Sequence, residues 1–274
     1  MKKTGLFLLA TLCSAALIIF AACGNGDDTN NYPTLTIGAT SVPHAEILAQ
    51  AAPIMLQEGF RLEIIEFDDF VLPNLSLRDG VIDANFFQHR PFLSNFNANH
   101  GTDLQPIFGV HFEPLRVYAG RIYSLENIPQ DATVAIPDDP SNEARALQLL
   151  EYLNLIQLEP GLGLGATVAN IAYNPYNLEI TPMSAELLPR VLPDVDFAVI
   201  NGNFALQGGV IDRAIEGAAE ADDSEAAESF TNFVAVRAGY EEDEAIQALI
   251  RAISSDVVRQ FIHDEYRGRI VPQF

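Results

Sequence analysis

From residue 35 to the C-terminus, short runs rich in β-branched and aromatic residues alternate with longer segments of helical apolar spacing. That alternation restricts the chain to an α/β architecture, and it predicts largely parallel sheets. Strands are predicted at 35–38, 61–67, 115–124, 132–136, 178–181, 197–200 and 230–237, with residues 80–85 leading into a further one. Helices are predicted at 44–58, 91–99, 142–153 and 185–191, with a turn and short helix across 69–77. Residues 243–266 read as one long amphipathic helix, apolar at Ala245, Ile246, Leu249, Ile250, Ile253 and Val257. The acidic, alanine-rich stretch 216–228 reads as a solvated loop or helix.

The N-terminus sets the compartment. Lys2 and Lys3 precede an apolar stretch at 6–20, and Ala21-Ala22 lead into Cys23. A basic head, a short apolar core and small residues before a cut describe an export signal over residues 1–22. The cysteine at the cut resembles that of a lipoprotein signal, so Cys23 is the expected lipidation site, although Phe20 replaces the leucine usual three residues earlier. Residues 23–32 then form a flexible tether, polar after Cys23. The chain is expected outside the cytoplasm, lipid-anchored to the cell membrane, where neither ATP nor a nicotinamide pool is at hand. The mature segment has no apolar run near the roughly 20 residues of a spanning helix, so the lipid is its expected anchor. Lys2 and Lys3 are the only lysines, and losing them with the signal takes the formal charge from −22 to −24. A surface of that sign repels nucleic acid and anionic headgroups. Only Cys13 and Cys23 are cysteines, so stability must come from packing without disulfides.

Few motifs suggest catalysis. Residues 161–165, GLGLG, resemble part of a dinucleotide loop, but Pro160 interrupts the approach and the compartment argues against the cofactor. His44, His89, His100, His111 and His263 show no paired metal-ligand spacing, and no GxSxG elbow occurs. No metal, cofactor or catalytic residue is expected. Residues 66–93 are richer in aromatics than one small helix face requires, with Phe70, Phe86, Phe87, His89 and Phe92 close together. They form either a satellite core or an aromatic-walled pocket.

The same segment carries a family resemblance. VLPN at 71–74, IDANFFQH at 82–89 and GATSVPHAEIL at 38–48 resemble the methionine-binding lipoproteins of ABC importers, the NlpA/MetQ type. AIPDDPSNEARALQLL at 135–150, NPYNLEI at 174–180, LLPRVLPDVDFAVINGNFAL at 187–206 and TNFVAVR at 231–237 extend the match over nearly all of the mature chain. The resemblance implies a two-lobed periplasmic-binding-protein fold, type II-like, that closes on methionine, L- and D-forms included. It would deliver the ligand to an ABC permease driven by a cytoplasmic ATPase. The lobes would be discontinuous, 33–113 with 203–274 and 114–202, with two crossovers as the hinge. A monomer is expected.

At the matched positions the resemblance implies site roles. Asp139-Pro140 is predicted to cap a helix from which Arg145 projects to meet the ligand carboxylate. Asn201, after the strand FAVI, and Asn232 would hold the ligand's backbone groups, while Phe70, Phe87 and His89 wall its side chain. Phe70 stands where the family usually has tyrosine, so the ring stays and the hydroxyl is lost. His44, Phe86 and Asn203 are further candidates for the cleft. A methionyl dipeptide or another apolar amino acid is the alternative ligand, and a surface enzyme the alternative of another class.

Overall fold

The structure, a computed structural model, describes residues 32–221 and 225–274. The signal segment, Cys23 and the tether up to residue 31 lie outside the described residues. The chain runs β1 (Thr34–Thr40), α1 (Glu46–Gln57), β2 (Arg61–Phe67), α2 (Leu72–Arg78), β3 (Ala84–His89), α3 (Arg90–His100) and β4 (Leu104–Phe112). It continues as β5 (Arg116–Ala119), β6 (Thr133–Pro137), α4 (Pro140–Tyr152), β7 (Gln157–Leu158), β8 (Ile171–Tyr173), β9 (Glu179–Met183), α5 (Leu188–Val191), β10 (Phe197–Ile200) and α6 (Gly202–Gln207). It ends with β11 (Ala214–Ala219), α7 (Glu225–Ser229), β12 (Thr231–Arg237), α8 (Glu244–Ile253), α9 (Asp256–Tyr266) and β13 (Val271–Pro272).

Two sheets organise these elements, one ordered β13-β4-β12-β3-β1-β2 and the other β11-β5-β10-β6-β9. The sheets are mixed, where largely parallel ones were predicted. β12 runs antiparallel to both of its neighbours, and β5 is antiparallel to β10 and β11. In each sheet the antiparallel pairing involves strands next to a crossover between sheets, where the chain enters from the opposite end.

Each sheet has its own core. On the first, Ile47, Leu48 and Met55 of α1 pack with Ile246, Leu249 and Ile253 of α8 and with Val258 and Ile262 of α9. On the second, Leu147 and Leu150 of α4 cover Val134, Val199 and Val117. Burying such side chains is worth about 1.5–3 kcal/mol each.

Three local expectations are corrected. The long helix over 243–266 is two, α8 and α9, because Ser255 takes up extended geometry and its hydroxyl caps Val258 N–H at 3.4 Å. The break resets the helical phase, so Val258 is buried while Val257 is 58 % exposed. The strand predicted over 115–124 stops at Ala119. At Gly120 a Cβ would lie 2.2 Å from the Val195 carbonyl, and Arg121 N–H bonds that same carbonyl at 2.9 Å, turning the chain. Within 216–228, residues up to 219 belong to β11 and pair with β5, because Ile215 and Ala218 are apolar enough to enter the second core. That pairing keeps the chain in the second sheet as far as residue 219. Its return to the first sheet lies between β11 and β12.

Leu249 is fully buried between α1, α8 and the sheet. Leu249→Ala should lower the unfolding free energy by about 2–5 kcal/mol, measured by denaturant titration with an unchanged m-value.

Candidate ligand-binding site

Strand register builds one side of the site. Asn232, second residue of β12, lies opposite His89 on β3 and His111 on β4. Two residues past His111 comes Glu113, on the first passage between the sheets. The other side comes from the carboxyl ends of β6 and β10, where α/β folds place ligands. β10 leads into Asn201, Gly202 and Asn203. β6 leads into α4, capped by Asp139, whose Oδ1 accepts from Asn142 N–H at 3.0 Å, with Pro140 in the first turn. Asp139 Oδ2 also accepts from Asn142 Nδ2 at 2.8 Å, fixing that amide. Asn142 Oδ1 then joins the two sides, accepting from Asn201 Nδ2 at 3.0 Å and from His89 Nε2 at 3.1 Å.

The imidazole tautomers follow from their partners. His89 Nδ1 accepts from Phe92 N–H at 3.3 Å, capping α3, so Nε2 carries the proton given to Asn142. His44 Nε2 bonds Asn232 Oδ1 at 3.2 Å and its Nδ1 pairs with Thr40 Oγ1 at 2.7 Å. Burial pushes both histidines down to about 3, so both are neutral near pH 7. Burial also disfavours the Glu113 carboxylate. The hydrogen bonds from His111 Nε2 at 2.8 Å and Asn203 N–H at 2.7 Å outweigh that and hold its carboxyl below the usual range.

The two sides line one cavity. One end is apolar: Phe70 packs 5.8 Å from Phe87, 5.7 Å from Phe92 and 4.7 Å from Phe204, ring centroid to ring centroid. The other end is polar, with Glu113, Arg145, Asn201, Asn203 and Asn232. Two buried amide atoms there lack a hydrogen-bond partner, Asn201 Oδ1 and Asn203 Nδ2. Buried polar atoms are rarely left so. One accepts and the other donates, so a ligand bearing both a donor and an acceptor would complete them. Gly202 makes the close approach to Glu113 feasible, since a Cβ there would sit 3.0 Å from Oε2.

Residues 35–274 match the family model described as NlpA lipoprotein. The chain belongs to the NlpA lipoprotein family. It is 39 % identical to the membrane lipoprotein TpN32 of Treponema pallidum over 86 % of each chain. A nutrient binding protein from Burkholderia cenocepacia, solved bound to methionine, superposes with a TM-score of 0.82 at 37 % identity, covering 88 % of this chain and all of that one. The substrate binding protein of a methionine transporter from Streptococcus pneumoniae gives 0.82 at 31 % identity over 88 % of this chain and 96 % of its own. The fold is accordingly the two-lobed, periplasmic-binding type. Among the described residues of this NlpA lipoprotein, no helix is long and apolar enough to cross a membrane.

The structure brings Phe70, Phe87, His89, Arg145, Asn201, Asn203 and Asn232 to one cavity. His44 and Phe86 stand behind it instead. Phe86 points with Ala84 into the core under α1, and His44 rests on its ring edge at 4.6 Å while holding Asn232. Sequence reasoning missed Gln88, Glu113, Asn142 and Gly202. An acid inside the otherwise apolar HFEPL of 111–115 was the available signal for Glu113. Nothing in the pattern marked Asn142, whose role depends on a residue 59 positions away.

His44 and His89 carry depressed values when folded and ordinary ones when unfolded, so between about 3 and 6.5 the unfolded chain binds more protons. Stability should be flat above pH 6.5 and fall on acidification by about 1.4 kcal/mol per pH unit for each histidine. Denaturant titrations at pH 7 and pH 5 measure it, and a gentler slope is expected in His89→Asn.

Proposed function

We propose that this chain is an extracytoplasmic receptor, anchored by lipid at Cys23, that closes on one free α-amino acid with an apolar side chain, methionine foremost. It hands that ligand to an ABC permease. One observation carries the reading: a single cavity presents a phenylalanine wall at one end and unpaired amide atoms beside an ionised carboxylate at the other. The ligand ammonium would lie between Glu113 and Asn201 Oδ1. Its carboxylate would accept from Asn203 Nδ2, from Arg145 Nη1, and from Asn232 Nδ2, whose partner oxygen is held by His44. Phe70, Phe87 and Phe92 would take the side chain, and a thioether gains about 0.3–1.5 kcal/mol at each aromatic edge. Binding of methionine by the Burkholderia relative and the transporter role of the pneumococcal one support the choice.

The bridge across the cavity favours an amino acid over a methionyl dipeptide. A second residue would have to displace the His89–Asn142 bridge that joins the two sides. We take the lobes as 33–113 with 231–274 and 114–219, and the segments between them as the hinge on which closure is signalled to the permease.

On ligand-stripped protein, a thermal-shift panel of amino acids and methionyl peptides should give the largest shift with methionine and none with aspartate or lysine, whose charges would lose water at the apolar end. A largest shift from a charged amino acid would overturn the ligand. In calorimetry, Arg145→Ala should weaken methionine by about 2–5 kcal/mol, roughly 30- to 4000-fold. Near-wild-type affinity would remove Arg145 from the carboxylate end.

A further inference from the structure

Arg145 is the buried guanidinium of the cavity, and two of its three nitrogens are already engaged by the protein. Nε donates to Glu220 Oε1 at 2.8 Å. Nη2 donates to Glu220 Oε2 at 2.5 Å and to the backbone carbonyl of Glu113 at 2.9 Å. Glu220 Oε2 in turn accepts from the backbone N–H of Leu115 at 2.8 Å. Glu113 and Leu115 belong to the first passage between the sheets, which ends at β5. Glu220 begins the second passage, directly after β11. One side-chain pair therefore ties α4 to both crossovers.

The surroundings fix the pair in place. Phe230, at the far end of the second passage, lies 4.1 Å from the guanidinium carbon, and Phe112, at the end of β4, 5.8 Å. Both members are nearly buried, Arg145 at 3 % and Glu220 at 10 % side-chain exposure. Arg145 also lines an outer groove with Leu149, Tyr152, Glu220 and Phe230, so it stands in the partition between the inner cavity and that groove. A bidentate carboxylate holds a guanidinium in one plane. Here it leaves Nη1 as the nitrogen outside the bonds to Glu220 and Glu113.

We propose that Glu220 is a positioning residue for recognition of the ligand carboxylate. It fixes Arg145 in one orientation, so that the carboxylate meets an oriented Nη1 group. This rests on the reading of the cavity as an amino-acid site. A bridge serving stability alone would make a different prediction: its loss would lower the melting temperature without distinguishing ligands that have a carboxylate from ligands that lack one.

The test compares L-methionine with L-methioninamide, in which a neutral amide replaces the carboxylate, by calorimetry on the mature chain. Glu220→Ala should weaken methionine at least about tenfold and leave methioninamide close to its wild-type affinity. Glu220→Asp keeps the charge but shortens the reach, and should give a loss in the same direction, again confined to methionine. It also carries the test should the alanine variant fail to fold. In the Arg145→Ala background, Glu220→Ala should cause no further loss. Equal losses for the two ligands, or unchanged methionine affinity with a lowered melting temperature, would overturn the proposal. If wild type binds a different amino acid and not methionine, the ligand reading fails, and the same comparison with that amino acid and its amide still decides the role of Glu220.

Discussion

The insertion of β12 between β3 and β4 is the constraint on which the site depends. β12 comes from the last fifth of the chain, yet it occupies the middle of the first sheet, antiparallel to both neighbours. Its five central residues are buried, so its register is fixed by apolar packing on both faces. That register places Asn232 beside His89 and His111. A shift of one residue would turn Asn232 to the opposite face and leave His44 and the cavity without their shared amide. It would also move the end of the second passage, and with it Phe230 over Arg145.

Electrostatics in the cavity work by fixed hydrogen bonds and few charges. Burial keeps His44 and His89 neutral, so they act as oriented donors and acceptors and leave the charge to Glu113 and Arg145. Arg145 is paired with Glu220, and Glu113 is stabilised by donated hydrogen bonds. A buried ion without such partners costs several kcal/mol. Each charge at the cavity is therefore held by partners within the protein. This fits a receptor that discriminates by completing unpaired amides, since a ligand lacking the matching group would leave them unpaired.

The apolar end is supported from behind by a network of three buried amides. Asn74 of α2 bonds Gln88 twice, at 2.8 Å each way, and accepts from Asn85 at 2.8 Å. Gln88 Nε2 also reaches Asn85 Oδ1 at 2.9 Å. The network locks the VLPN segment onto the strand that carries Phe87 and His89. The two sequence motifs are thus the two halves of one wall, and Phe70 reaches the cavity because α2 is held there. The missing hydroxyl of Phe70 makes this end wholly apolar at that ring.

The sequence alone determined the fold class and most elements, and it named most of the residues that line the cavity. Hydrophobic period is a local property, and FAVI at 197–200 or TNFVAVR at 231–237 can be little other than buried strands. The Asp139-Pro140 helix start was legible because capping depends on three or four adjacent residues. The resemblance supplied Phe70, Phe87, His89, Arg145, Asn201 and Asn232 by position. What the tertiary structure decided was everything that depends on distant pairing. The antiparallel course of β12, the place of β11 in the second sheet and the split of α8 from α9 follow from which surfaces each segment meets. His44 and Phe86 sit behind the cavity because the core under α1 claims one face of β3. Glu113 and Glu220 are two acids among many in an acidic chain. Only the folded arrangement shows one buried beside unpaired amides and the other paired to Arg145 across both crossovers, because burial and partnership are properties of the assembled chain.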